Sequence, residues 1–121
     1  MAKAKRGDGL DRRRLEELIE EATIDCYNEY EQAAGLFTMI EDNLHLPFTT
    51  RVLGVAVTVI AVDQDGDIDI VAVCERKGER QRISLKDLPL PSPPPDGAEW
   101  IAAYRYWARH EWSDEAEDDS P

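Results

Sequence analysis

The spacing of the apolar residues changes at Pro47, and this change limits the possible folds more than any other feature. Before Pro47, apolar residues recur every three or four positions, the spacing of helices that bury one face. After it, Val- and Ile-rich runs alternate with short turn sequences, a pattern typical of strands. Pro47 itself cannot continue a helix. The sequence therefore predicts an α+β fold in which helices precede a sheet.

Two helical runs precede Pro47. Asp11 is placed to cap the first run, and glutamates follow it at the end of the helix that favours negative charge. Gly35 lies within the second run, so we predict either one kinked helix or two consecutive helices that break near this glycine. The apolar positions are Leu15, Leu18, Ile19, Ala22 and Cys26 in the first run, and Ala33, Phe37, Ile40 and Leu44 in the second.

The segment after Pro47 predicts a three-stranded antiparallel meander over residues 51–63, 67–76 and 79–85. Asp65-Gly66 predicts a two-residue hairpin turn, and Lys77-Gly78 predicts a second tight turn. A further strand is expected if the first run bends at Gly54. We predict an SH3-like β-meander or small barrel packed against the N-terminal helices and one C-terminal helix.

A proline-rich segment, residues 87–95, joins the sheet to this last helix. It is either a stiff strap that leads to the next helix or a ligand for an aromatic groove, and we favour the strap. Asp96 and Glu99 have the spacing of a capping box. The helix that they open has a core-facing stripe of Trp100, Ile101, Tyr104, Trp107, Ala108 and Trp112.

Length and charge fix the domain organisation and exclude several classes of partner. The chain has 121 residues with a net charge of −12, and we predict one α+β domain over residues 15–112. A basic N-terminal tail (1–14) and an acidic C-terminal tail (113–121) flank it. The acidic surface predicts no nucleic-acid partner, because phosphate would be repelled. With no long apolar run and no secretory signal, we expect no membrane partner and a cytoplasmic location.

The motifs of enzyme active sites do not occur in the sequence. It contains no Gly-x-Ser-x-Gly elbow, no phosphate-binding loop and no dinucleotide fingerprint. Its two cysteines exclude a disulfide scaffold and a four-cysteine zinc site within one chain. Cys26 and Cys74 are interpreted as small buried hydrophobic residues. We expect a protein that is not an enzyme.

The carboxylates suit a hard cation such as Ca²⁺, which binds six to eight oxygen ligands. Four acids surround Gly66 at every second position: Asp63, Asp65, Asp67 and Asp69. Their register does not fit an EF-hand, because Gly66 would fall at the fourth loop position instead of the sixth and Cys74 at the twelfth. These acids either bind calcium in another geometry or keep the hairpin tip soluble.

A second acidic cluster, Glu41, Asp42 and Asn43, ends the second helical run. Acids are unfavourable at the negative end of the helix dipole, so a cation would stabilise them. Helical projection also places Glu29 near the apolar face and Asp25 at its edge. Each needs a tyrosine hydroxyl, an arginine or a metal ion as its partner, and either could complete a calcium site at Asp42, Glu41 and Asn43.

Four stretches in this order resemble the CcbP family of small acidic bacterial calcium-binding proteins. They are EEATIDCYNEYEQAAGLFTMIEDNLHLPF, RVLGVAVTVIAVD, IVAVCERKGERQRISLKDLPLP and PPDGAEWIAAYRYW. The resemblance implies an α+β domain with a barrel-like sheet and calcium sites that are not EF-hands. It also implies a role in binding intracellular calcium, as a buffer or a sensor. Carried over residue by residue, it favours the helix end that contains Asp42.

Two alternatives stay open. Calcium can bind through diffuse surface charge, with few defined ligands. The rival from another class is a non-catalytic interaction module that docks a basic protein partner through residues 87–95 or the aromatic residues of 100–112. We expect a monomer in either case.

Overall fold

The described part of the protein contains three helices and four strands. A computed structural model describes residues 11–66 and 68–109, and the elements follow one another in the order ααββββα. They are α1 (Arg12–Ala22), α2 (Glu29–Asn43), β1 (Phe48–Val52), β2 (Val55–Asp65), β3 (Asp69–Arg76), β4 (Glu79–Ser84) and α3 (Ala98–Ala108). The predicted α+β class is confirmed. None of the helices in these two ranges is long and apolar enough to cross a membrane.

The first two helices are separate, and the break between them is not at Gly35 as predicted. Residues 23–28 form the connection, and Gly35 lies inside α2. A Cβ atom on Gly35 would lie 2.1 Å from the Ala22 carbonyl oxygen, so the glycine allows α1 and α2 to touch. Cys26 is therefore in the connection and half-buried, whereas Cys74 is buried in β3 as predicted.

Asp11 caps α1 as predicted, accepting a hydrogen bond from the Arg14 amide at 3.0 Å. The last three residues of the predicted basic tail thus form the first turn of α1. The rest of that tail, Trp112 and the acidic C-terminal tail lie outside the described residues.

The four strands form one antiparallel sheet in the order β1-β2-β3-β4. The first predicted strand does bend, at Leu53-Gly54, and this turn separates β1 from β2. Lys77-Gly78 forms the second predicted turn, with both residues at positive φ. The predicted Asp65-Gly66 turn is wrong in register, because Asp65 is the last residue of β2 and pairs with Asp69 at the start of β3. In the described part of the chain β1 does not pair with β4, so the sheet is open and the SH3-like barrel is not confirmed.

The helices pack together, and α2 lies against β2 and β3. The core between them is apolar. The apolar stripe predicted for the last helix, α3, belongs to this core. The structure thus confirms that Trp100, Ile101, Tyr104 and Trp107 are core residues. The predicted Asp96 cap is wrong, because the N-cap is Gly97 and no side chain caps α3. The larger fully buried side chains are Leu18, Ile19, Leu36, Ile40, Val59, Ile70, Leu85, Leu88, Ile101 and Tyr104.

Candidate metal centre

The last turn of α2 holds the acidic cluster Glu41, Asp42 and Asn43, and all three side chains are exposed. No lysine or arginine of the described chain forms an ion pair with Glu41 or Asp42, and this turn contains no basic residue. The Asn43 amide nitrogen donates to the Met39 carbonyl at 2.8 Å, so its side-chain oxygen is not used in that bond. Two uncompensated carboxylates therefore lie at the negative end of a helix dipole.

The chain returns to this helix end after the sheet. The His45 amide donates to the Asp96 carbonyl at 2.8 Å, and a Cβ on Gly97 would lie 2.2 Å from the Asn43 carbonyl oxygen. The exposed Asp96 is thereby fixed at the same end of α2. Sequence reasoning assigned Asp96 only to a helix cap. No local signal reveals this contact, because it depends on the path of the chain across the whole domain.

Asp25 and Glu29 lie at the opposite end of α2. Glu29 is its first residue and Asp42 its last but one, which at 1.5 Å per residue places them about 20 Å apart. The predicted helical projection fails because residues 23–28 are not helical, and Asp25 is exposed at φ 65°. The structure therefore does not bring Asp25 or Glu29 to the Asp42 cluster.

Two of the four acids at the β2–β3 hairpin accept hydrogen bonds from other side chains of the protein. Arg82 donates to Asp63 at 3.0 Å, while Ser84 and Tyr104 each donate to Asp69 at 3.0 Å. Asp65 is exposed and pairs with Asp69 in the β2–β3 ladder. Asp67 lies outside the described residues. A calcium ion at this hairpin would have to compete with partners at two of its four carboxylates.

Tyr104 is the group that holds Asp69 from the core side. Its hydroxyl accepts from the Ile70 amide at 3.1 Å and donates to Asp69 at 3.0 Å. Burial raises the pKa of Tyr104 above its usual value, the Asp69 carboxylate adds to this effect, and the Ile70 hydrogen bond opposes it. Asp69 therefore has a structural role at the base of the hairpin.

Charge is distributed very unevenly between the helical and the β segments. Residues 15–50 contain nine carboxylates and no lysine or arginine, whereas residues 51–86 contain six acids and six bases. The negative potential is thus concentrated on the α1–α2 hairpin beyond its first turn, which holds Arg12, Arg13 and Arg14. Its nine acids are Glu16, Glu17, Glu20, Glu21, Asp25, Glu29, Glu31, Glu41 and Asp42.

The donors at the end of α2 have the chemistry that Ca²⁺ prefers. They are carboxylate, amide and backbone carbonyl oxygens. Within residues 11–66 and 68–109, no three side chains of His, Cys, Asp or Glu converge as a metal cage. The donor type fits calcium, and backbone carbonyls and water would have to complete its coordination.

An open antiparallel sheet that packs against α2, together with an acidic α1–α2 hairpin, defines a small α+β protein whose surface attracts cations. The sequence profile of the family Calci_bind_CcbP, described as "Calcium binding", matches residues 16–108. The chain belongs to this calcium-binding family, and Ca²⁺ is the ion that the family implies for it. The predicted resemblance is confirmed.

Two solved structures share the fold. One is the crystal structure of Anabaena CcbP, at 22% sequence identity and a TM-score of 0.61, covering 89% of this chain and 95% of that chain. The other is a calcium binding protein in the calcium-binding form, at 21% identity and a TM-score of 0.64, covering 88% and 98%. No curated protein sequence matches this chain.

Proposed function

We propose that this protein is a calcium buffer or sensor of the cytoplasm, monomeric and without catalytic activity. The observation that carries the proposal is membership of a calcium-binding family over residues 16–108. The concentration of carboxylates on the α1–α2 hairpin supports it, because this surface raises the local concentration of cations.

The principal site in this proposal is the end of α2. Asp42 and Glu41 would supply carboxylates, Asn43 an amide oxygen and the last turn its free carbonyls. Asp96 is a further oxygen source at the same helix end. The bound ion would supply positive charge where two acids and the negative end of a helix dipole now repel each other.

The β2–β3 hairpin is the second candidate, with Asp63, Asp65, Asp67 and Asp69 as ligands. It ranks lower because Asp63 and Asp69 have partners in Arg82, Ser84 and Tyr104. We expect a dissociation constant in the micromolar range or weaker, since few carboxylates converge in the described chain.

The test is a calorimetric calcium titration of matched variants at about 0.15 M salt, where the Debye length is about 8 Å. Asp42→Asn should weaken calcium binding several-fold. Asp25→Asn is its control: it makes the same chemical change on the same helical hairpin, at the opposite end. Removal of the acids after Ser113 should also have little effect.

Different results would contradict different parts of the proposal. Equal, small losses in Asp42→Asn and Asp25→Asn would replace the discrete site with diffuse surface charge. A larger loss in Asp65→Asn than in Asp42→Asn would move the principal site to the β2–β3 hairpin. Absence of measurable calcium binding to the unaltered chain would overturn the function. A calcium-dependent change in amide hydrogen exchange beyond the site would favour a sensor over a buffer.

A further inference from the structure

The connection between α1 and α2 exposes an unusual set of large apolar side chains. Six such side chains are exposed in the described chain, and three of them lie within seven residues. Ile24 is 68% exposed, Tyr27 85% and Tyr30 57%. Clustered exposure of this kind marks interaction surfaces, and tyrosine is enriched in protein–protein interfaces.

These side chains project from an ordered backbone. The Tyr27 amide donates to the Glu31 carboxylate at 2.7 Å, and the Glu31 amide donates to the Asn28 side chain at 2.8 Å. The second bond is the N-cap of α2, and together the two bonds fix the start of this helix. On the other side, the Thr23 hydroxyl donates to the Ile19 carbonyl at 2.7 Å. The outward position of Tyr27 is therefore built into the fold.

Charge decides what kind of partner this surface fits. Asp25 and Glu29 alternate with the exposed side chains along the chain, and Glu20 and Glu21 lie in the last turn of α1. None of these four acids forms an ion pair with a lysine or arginine of the described chain. A second copy of the chain would bring the same negative charges, and nucleic acid or an anionic membrane would be repelled. A lysine or arginine side chain can instead lie over a tyrosine ring beside a carboxylate.

We propose that Ile24, Asp25, Tyr27, Glu29 and Tyr30 form a docking surface, here called the loop surface, for a basic and partly apolar segment of another protein. The loop surface is about 20 Å along α2 from Asp42, so it is separate from the proposed calcium site and does not depend on calcium binding. The chain's own residues 1–10 carry Lys3, Lys5 and Arg6, but few large apolar side chains to cover the two tyrosines.

The probe is a fluorescein-labelled peptide with six lysines and three leucines. The control peptide is the same sequence with serine in place of leucine. Fluorescence anisotropy at about 0.15 M salt should show several-fold tighter binding of the leucine peptide, because screening weakens binding by charge alone. The double variant Tyr27→Ser/Tyr30→Ser should weaken binding about tenfold, and Asp25→Asn/Glu29→Gln several-fold.

Two variants serve as matched controls. Leu53→Ser removes a side chain that is 97% exposed at the distant β1–β2 turn, and Asp42→Asn removes one charge at the other end of α2. Both should leave peptide binding unchanged. Since all these residues are exposed, circular dichroism melts should show that every variant remains folded.

Three outcomes would overturn the proposal. The first is equal binding of the two peptides, or no binding of the leucine peptide to the unaltered chain. The second is tighter peptide binding after deletion of residues 1–10, which would assign the surface to the chain's own arm. The third is a dimer in sedimentation that Tyr27→Ser abolishes, which would assign it to a second copy.

Discussion

Tyr104 connects the last helix to the base of the β2–β3 hairpin through one hydroxyl group. It accepts from the Ile70 amide and donates to the Asp69 carboxylate, and its ring is buried in the core. A single core residue thus forms a hydrogen bond with one of the four hairpin carboxylates that the sequence offers as candidate calcium ligands. The raised pKa of Tyr104 gives this contact a measurable pH dependence.

We predict that the free energy of unfolding falls as the pH rises above about 10, the usual pKa of an unfolded tyrosine. The folded protein holds the Tyr104 proton more tightly than the unfolded chain, so in this range unfolding releases a proton. The contribution of Tyr104 to the free energy of unfolding is fully present below about pH 10 and is lost as the pH rises above it. Tyr104→Phe should remove this part of the alkaline loss in denaturant titrations.

At neutral pH, Tyr104→Phe should lower the free energy of unfolding by about 1–3 kcal/mol, because the buried Ile70 amide loses its acceptor. Tyr30→Phe is the control, since Tyr30 is exposed on α2. It should change neither the neutral stability nor the alkaline loss. Equal behaviour of the two variants would contradict the role given to Tyr104.

Gly35 lies inside α2 at the point where α1 and α2 come into close contact. We predict that Gly35→Ala destabilises the protein by about 1–3 kcal/mol, although alanine is intrinsically the better helix former. The new Cβ would lie 2.1 Å from the Ala22 carbonyl oxygen, which would push α1 from α2. Thr38→Ala, at an exposed position of the same helix, should stay within about 0.5 kcal/mol in urea unfolding. A stabilised Gly35→Ala variant would contradict this contact.

At the scale of elements, the proline-rich segment is a strap between the sheet and α3, as the first of the two sequence interpretations states. Arg105 of α3 donates to the Leu85 carbonyl at 2.7 Å and also to the Leu88 carbonyl. The Thr50 hydroxyl of β1 donates to the Pro89 carbonyl at 2.7 Å. The strap therefore runs beside β1, an edge strand, where exposed backbone groups favour pairing with other chains.

We predict that Thr50→Val lowers the free energy of unfolding by about 1 kcal/mol, because it removes the hydrogen bond to Pro89 while keeping the shape of a buried side chain. Thr49→Val changes the exposed neighbour on the same strand and should have an effect below about 0.5 kcal/mol. Chemical unfolding measures both. Equal losses would show that the strap is held without the Thr50 hydroxyl.

Across the whole molecule, the acids are segregated from the bases. The sheet segment is balanced, with ion pairs such as Arg82–Asp63 and Arg80–Glu75, while the α1–α2 hairpin carries carboxylates alone after the three arginines of its first turn. Self-repulsion on this hairpin destabilises the fold, and a bound cation would reduce it. Calcium should therefore stabilise the protein both by binding and by screening.

We predict that calcium at ten times its dissociation constant adds about 1.4 kcal/mol of stability and raises the thermal midpoint by roughly 5 °C. Magnesium at the same concentration should raise it less, because it demands stricter octahedral geometry. Differential scanning calorimetry compares calcium, magnesium and neither at constant ionic strength. Equal shifts for the two ions would indicate screening without a calcium site.

The sequence contains strong local signals for much of the fold. The Asp11 cap, the end of the helices before Pro47, the Lys77-Gly78 turn and the bend at Gly54 depend on residues close in the chain, and the structure has them all. The acidic end of α2 is likewise visible in the sequence. The partners of individual acids are not, because Asp69 meets Tyr104 across 35 residues.

Taken together, local sequence determined the helical and β segments, their turns and the acidic character of the first half of the chain. These features depend on the spacing of apolar residues, on proline and on the residues that favour turns. Each of them acts over a few neighbouring residues and needs no tertiary information. Only the tertiary structure decided that Gly35 is a helix contact, that the sheet is open and that Asp96 returns to the end of α2. The physical reason is that close packing and long-range hydrogen bonds arise only when distant segments meet, and no spacing along the chain encodes where they do.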